Sequence, residues 1–500
     1  MTFVSCDRNM VEDEIIATNR PTKSNDFKIY FDSKENIEKK EFSQALLSSL
    51  SQSLMLREIL KTEALKEFDN DREVLFVLIK DLSLENGTVF DLMASNIGGE
   101  QKLLEIISNA PDLTILVPTL PNDSFSAENW DTSKVPAVGI RLDNSNNVPV
   151  LLETGEQEVL ASDIVPGFPI IVVKNNERLI GVSNPLFKET DTNIVYQENG
   201  IMLRFSDEIF DVKVKPKSHI YRTTRHVDPK LEMIYNLNKD LEEKDRGWQR
   251  DYIYYGIHSG NPNGPFLYNY NEHITSFGPD GDPFGAYSAI SDQVDEAKLN
   301  PVIGLGNNSS WTEGYYEFLI KVVVNSTQGG GTEIIKRLNI KPSDLFDLKY
   351  KEQTMRFGPF TKKFFILETI ANKRIFPDTK VIAWNLGGKS TEFNVIIEEI
   401  DVTTTTTYTD NVTAKFASNA SADFKIGIKL GGSAETTQSN TVTRTYTQGN
   451  DQLGNSFVNF GEDIIVGELN SNSPIFGGTR WKINDYTTGT IRFSFEPRHQ

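Results

Sequence analysis

The chain has 500 residues, 38% hydrophobic, 10% aromatic and 24% charged, the make-up of a packed protein of roughly three domains. Lys and Arg number 51 against 70 Asp and Glu, and the net charge of −19 repels phosphate backbones, which argues against nucleic acid as a partner. One cysteine excludes an intramolecular disulfide framework and a thiolate metal cage, and apolar runs such as 168–173 fall far short of the ~18 residues of a spanning helix.

The lone cysteine is the first informative residue. Cys6 follows Phe3, Val4 and Ser5 and precedes a polar stretch that reaches to about residue 25. The segment resembles the lipobox of bacterial lipoproteins, with an apolar residue three before the cysteine, a small one just before it and a polar tether behind. Phe3 stands where Leu is usual, and the charged and apolar parts of a signal peptide do not precede it. The resemblance implies a longer natural leader, acylation of Cys6, a lipid membrane as partner, and a place in the bacterial cell envelope, at the outer membrane or cell surface.

Helical spacing follows. Phe42, Leu46, Leu50 and Leu54 recur every four residues, continued by Ile59 and Leu60, and predict a helix over 41–68. Val74, Leu75, Leu78 and Ile79 predict another over 71–81. Leu103, Leu104, Ile106 and Ile107 predict a third over 99–110, stopped by Pro111. Behind a flexible tether over 1–25, these form a small helical domain over 26–111. Its helices hold no Trp, a residue that interfacial membrane helices use, so a packed core is expected beneath their apolar faces.

From 112 to 200 the pattern is that of a β subdomain, with strands predicted at 113–117, 135–142, 148–152 and 168–173 between Pro, Gly and Asn punctuation. Residues 201–310 begin with strands over 201–205 and 210–214 and a polar helix over 229–245. The rest of this region is rich in loops and aromatics. Trp248, Tyr252, Tyr254, Tyr255, Tyr268 and Tyr270 are candidate ligand-binding rings for a glycan or protein partner, since rings stack on apolar ligand faces. The competing expectation is a satellite core beneath the loops.

Chemistry leaves few traces. His219, His226, His258 and His273 show no i, i+4 pair and no HExxH, so no metal is expected. Asp280-Gly281-Asp282 opens like a calcium loop, but the Glu of its twelfth place is missing and a Gly-Pro turn is predicted. No G-x-S-x-G occurs, and no catalytic residue or cofactor is predicted. A hydrolase built on scattered carboxylates would leave no local signature.

The last third is β-rich, with strands predicted at 315–324, 364–370, 380–384, 392–400, 457–460, 463–466, 481–483 and 490–495. Their spacing predicts an antiparallel β-sandwich over 311–500. Between them, nine of the ten even-numbered residues from 412 to 430 are apolar or Ala, among them Val412, Ala414, Phe416, Phe424, Ile426, Ile428 and Leu430. Of the odd-numbered residues from 411 to 429 only Ala417 and Gly427 lack a polar side chain, and Thr fills 13 of the 45 places from 403 to 447. Such alternation predicts a strand with two unlike faces. A turn at 431–433 would pair 412–430 with 434–448; one near Asn419 would fold the first arm on itself.

Residues 402–448 resemble the amphipathic, Ser/Thr-rich hairpin of aerolysin-like β-pore-forming proteins. The resemblance covers about 50 residues and is one of texture. It implies a hairpin that lies on the body until oligomers form, then enters a barrel with its apolar face to lipid. A structural hairpin with that face on a core is the competing expectation. The expected fold is α+β, mostly β: a small N-terminal helical domain, β subdomains, and a C-terminal antiparallel sandwich carrying a long Thr-rich amphipathic hairpin. The first functional expectation is a non-enzymatic surface or periplasmic lipoprotein that binds a protein or glycan. The alternatives are a secreted aerolysin-like pore former, oligomeric only in that case, and an unrecognised hydrolase.

Overall fold

The computed structural model describes residues 30–143, 145–182, 194–198, 200–207, 210–213, 221–242, 249–250, 254–255, 269–290, 310–312, 314–326, 328–384, 389–400, 405–417, 435–447, 451–469 and 478–499. The chain is α+β and mostly β, with several antiparallel sheets. It divides into two compact units. One comprises Met1–Pro216, Ser291–Gly314 and Lys349–Thr369; the other comprises Lys217–Ile290, Tyr315–Leu348 and Ile370–Gln500.

In the first unit, short polar side chains decide where helices begin. Ser33 accepts a hydrogen bond from the Asn36 amide at 3.1 Å and opens Lys34–Gln52. Ser53 is extended, accepts from the Leu56 amide at 3.1 Å, and opens Leu54–Ala64, so the one helix expected over 41–68 is two. The helix expected over 71–81 is mostly absent. Glu73–Leu75 is a strand paired with Leu113–Leu116, and Phe76–Ile79 makes one turn. A short apolar run fits either period, and here the pairing partner decides. Val89–Ile97 was not foreseen; Thr88 and Asp91 cap it reciprocally, and Gly98 ends it at φ 102°. Glu100–Asn109 lies where the third helix is expected.

Six strands form one mixed sheet, in the order Glu73–Leu75, Leu113–Leu116, Ile170–Asn175, Ala137–Ile140, Val148–Leu151, Gln157–Leu160. Ala137–Ile140 and Ile170–Asn175 run parallel, and the other neighbours run antiparallel. Phe42, Leu46 and Leu50 of the first helix share a single core with Ile115, Val138 and Ile171 of the sheet. The boundary expected at 111 therefore separates no two cores. The same core reaches Phe364 and Phe365, beside the pairing of residues 364–366 with Ile164–Pro166.

The second unit holds two larger sheets. One has the order Thr379–Ile382, Tyr270–Pro279, Ile491–His499, Tyr486–Thr487. The other has the order Thr405–Ala417, Glu435–Thr447, Gly331–Ile340, Tyr316–Asn325, Glu392–Glu399, Asp451–Asn459. Rings from the two sheets meet edge to face, Phe277 with Phe318 at 5.0 Å and Phe393 with Phe495 at 5.2 Å between centroids. Tyr270–Pro279, outside the expected range 311–500, supplies an inner strand of the first of these sheets. Among the described residues no helix is long and apolar enough to cross a membrane.

Candidate functional site in the threonine-rich hairpin

Thr405–Ala417 and Glu435–Thr447 pair antiparallel along their whole length, from Thr405 opposite Thr447 to Ala417 opposite Glu435. The expected turns, at 431–433 and near Asn419, lie outside the described residues. A turn centred on either pairs even-numbered with even-numbered residues, as the observed register does, so alternation alone cannot choose among registers. The adopted register sets Thr405, Thr407 and Thr409 opposite Thr447, Thr445 and Thr443. Cross-strand threonine pairs contribute roughly 0.2–1 kcal/mol each relative to Ala–Ala.

Directly opposed residues share a face. Odd-numbered positions therefore join Asn411, Thr413 and Lys415 to Thr441, Ser439 and Thr437, while even-numbered ones join Val412, Ala414 and Phe416 to Asn440, Gln438 and Thr436. Phe424, Ile426, Ile428 and Leu430 lie outside the described residues.

The hairpin meets the rest of its sheet through Glu435–Thr447, which runs parallel to Gly331–Ile340 with Val442 registered on Gly331. That is one registered pair. Tyr316–Asn325, by contrast, pairs with Gly331–Ile340 without a break from Tyr316 opposite Ile340 to Asn325 opposite Gly331. Tyr316–Asn325 is buried throughout, and its Lys321 bonds Glu398 of Glu392–Glu399 in a buried ion pair.

The candidate ligand-binding rings fall differently from the first expectation. Tyr254, Tyr255 and Tyr270 are buried and present no face to a glycan or protein. The Tyr255 hydroxyl donates to Glu272 Oε1 at 2.7 Å, and burial first, then the Glu272 charge, push it well above the usual tyrosine range. Tyr254 meets Tyr270 edge to face at 5.2 Å, with the Lys230 ammonium above both rings. Trp248, Tyr252, Tyr268 and Cys6 lie outside the described residues, as do His219 and His258.

His273 Nδ1 lies 2.9 Å from Asp378 Oδ1, a hydrogen bond that holds the Asp378 carboxyl below its ordinary range. Among the described residues no group of three or more His, Cys, Asp or Glu is placed to hold a metal ion. Asp282 accepts from the Gly285 amide at 2.8 Å at the start of the helix Pro283–Ile290, and Asp280 bonds Thr487 and Arg492.

Two buried charge networks escaped the reading of the sequence. In the first unit Arg178 reaches Asp71 at 3.0 Å, Glu73 at 3.3 Å and Asp69 at 3.5 Å. Lys174 lies 2.9 Å from Glu73 and also pairs with Glu177, which Arg141 bonds in turn. Gly314, at φ 78°, passes so close to Asp71 that a Cβ there would fall 2.0 Å from Oδ2. In the second unit Arg250 binds Glu272 through Nε at 2.9 Å. Glu496 takes Arg225 Nη2 at 2.6 Å, Thr275 Oγ1 at 2.8 Å and Arg498 Nη2 at 2.9 Å. Burial raises the Glu496 carboxyl, but the Arg225 and Arg498 charges outweigh it and hold the group below its ordinary range.

No family model, curated protein or solved structure matches the chain.

Proposed function

We propose that the chain permeabilises membranes by inserting its 405–447 hairpin, as the resemblance to aerolysin-like proteins implies. One observation carries this reading. Every charged residue from 411 to 441, namely Lys415, Asp423, Lys425, Lys429 and Glu435, is odd-numbered, and the register pairs odd with odd. The even-numbered face of the described pairs, from Asn411 with Thr441 to Ala417 with Glu435, is free of charge. A strand crossing hydrocarbon needs about 9–11 residues, and each described arm has 13, its even-numbered face apolar at Val412, Ala414 and Phe416 and uncharged but polar at Thr436, Gln438 and Asn440. In a barrel the even-numbered positions face lipid and the Thr and Lys positions face water. Closure of the barrel requires hairpins from several copies, because a free strand edge is not tolerated in hydrocarbon.

The register supplies the test. Gly331→Cys with Val442→Cys, in a Cys6→Ser background, places two thiols on neighbouring strands within a disulfide's usual reach of about 4.4–6.8 Å between Cα atoms. Oxidised protein should release no dye from liposomes, and reduction should restore release. Release by the locked form, or none by the parent protein on any lipid composition, overturns the proposal.

A lipid tether at Cys6 is a compatible second reading, supported by Phe3-Val4-Ser5-Cys6 and the polar residues behind it. Tethered, the chain would work at the cell envelope; untethered, as a secreted protein. The reading as a glycan- or protein-binding lipoprotein loses three of its six rings to the core.

A further inference from the structure

The parity of the hairpin breaks at its open end. From 405 to 447 the even-numbered positions carry two charges, Asp410 and Arg444, and the hairpin's tyrosines, Tyr408 and Tyr446, are even-numbered as well. The register sets Tyr408 opposite Arg444, Thr406 opposite Tyr446 and Asp410 opposite Val442. Tyr408 and Tyr446 are therefore diagonal neighbours on one face, with Arg444 between them, and Asp410 lies diagonal to Arg444. Diagonal neighbours lie about 7–8 Å apart, within reach of long and aromatic side chains. The next even positions are Val412, Ala414 and Phe416 on one arm and Asn440, Gln438 and Thr436 on the other.

Along Thr405–Ala417 this face passes from Phe416, Ala414 and Val412 to Tyr408, the pattern of a strand leaving hydrocarbon. Tyrosine sits with its ring at the acyl boundary and its hydroxyl in the headgroups, and a guanidinium there matches a phosphate with two parallel hydrogen bonds. Resting on the pore reading above, we propose that Tyr408, Arg444 and Tyr446 form a belt that binds phospholipid headgroup phosphate and sets the depth of insertion. The dimensions agree. Eight residues separate Tyr408 from Phe416, roughly 27 Å along a strand and about 20 Å along the membrane normal at a tilt of ~40°. Phe416 then falls inside an apolar band about 25 Å tall, and Tyr408 stands at its rim.

Two measurements on the full chain test the belt. Phosphatidylcholine vesicles with and without phosphatidylglycerol are challenged with parent protein, Arg444→Gln and Arg444→Lys, and dye release is titrated. One cationic side chain at an anionic surface corresponds to about a fivefold preference. The parent and Arg444→Lys should show it, and Arg444→Gln should not. In the Cys6→Ser background, an environment-sensitive dye on Thr406→Cys should be quenched by headgroup-level quenchers, and one on Phe416→Cys by acyl-chain quenchers. Release with the lipid preference intact in Arg444→Gln, or equal quenching depth at both positions, overturns the belt and leaves the pore. Absence of release by the parent protein on every vesicle overturns the pore, and the belt with it.

Discussion

Replacing Arg178 with Met tests the buried network of the first unit. Arg178 is fully buried, and its guanidinium is the common partner of Asp69, Asp71 and Glu73. Methionine keeps much of the length and none of the charge. The carboxylates retain Lys174 on Glu73, and Asn176 on Asp69 and Glu73 at 2.8 and 2.7 Å. Removing one partner of a buried pair costs about 3–5 kcal/mol, and loss of a cation shared by three carboxylates places this variant in the upper half. Urea unfolding followed by circular dichroism measures it. The pH dependence has a definite sign. Burial raises the Glu73 carboxyl well above its ordinary range and Asp69 above its own, and Arg178 pulls both down. A carboxyl raised in the fold contributes stability that is fully present below its unfolded pKa and is lost as pH rises from there through the folded one. Without Arg178 both groups rise further, so the deficit should shrink as pH falls toward the ordinary carboxylate range. Glu177 has the opposite sign. Burial raises it, but Lys174, Arg141 and Arg178 outweigh burial and hold it at about 2, so its contribution is lost only at lower pH. A deficit under about 1 kcal/mol, or one that does not shrink as pH falls, refutes the reasoning.

Neighbouring positions on opposite faces of the hairpin should respond differently to one charge. Ala414→Asp places a carboxylate on the lipid side and should abolish dye release, whereas Thr413→Asp on the water side should retain it; equal loss in both would sink the parity argument. Cells expressing the chain behind a lipoprotein leader should incorporate a clickable fatty acid, and Cys6→Ser should not. Equal labelling of both would refute acylation at Cys6.

Strand periodicity was legible where pairing could not alter it. Ile201–Phe205 and Trp481–Ile483 lie where the sequence places them, and Tyr316–Asn325 is displaced by one residue. Register was not legible, because a period of two constrains parity and leaves the centre of the turn free. The threonine matching of 405, 407 and 409 with 447, 445 and 443 was the available signal, and it appears only when the two arms are written against each other. The charge networks were hidden for another reason. Hydropathy assigns charged residues to solvent, while Lys174 ends the apolar run of Ile170–Asn175 and is fully buried beside Glu73. Charges at the ends of apolar strands, such as Asp69-Asn70-Asp71-Arg72-Glu73 and Lys174-Asn175-Asn176-Glu177-Arg178, were the clue. The fused helical and sheet core was illegible because each helix spacing reports one buried face and not what covers it.

Under the proposed function, the hairpin must stay folded in water and still leave its sheet. Its backbone ladder is internal, running from Thr405 with Thr447 to Ala417 with Glu435, and it can travel intact. Parting from Gly331–Ile340 breaks the registration of Gly331 with Val442, the parallel pairing that joins the hairpin to its sheet. The opposing requirement lies at the outer edge. Among the described residues no strand pairs with the far side of Thr405–Ala417, and water can satisfy those amides and carbonyls. In hydrocarbon each unpaired group costs several kcal/mol, so one hairpin alone cannot enter, however apolar its even-numbered face. Hairpins of neighbouring copies remove the penalty by pairing edge to edge until the barrel closes. The same free edge that lets the hairpin leave its sheet in water therefore makes insertion a collective step, and permeabilisation should rise more steeply than the first power of protein concentration.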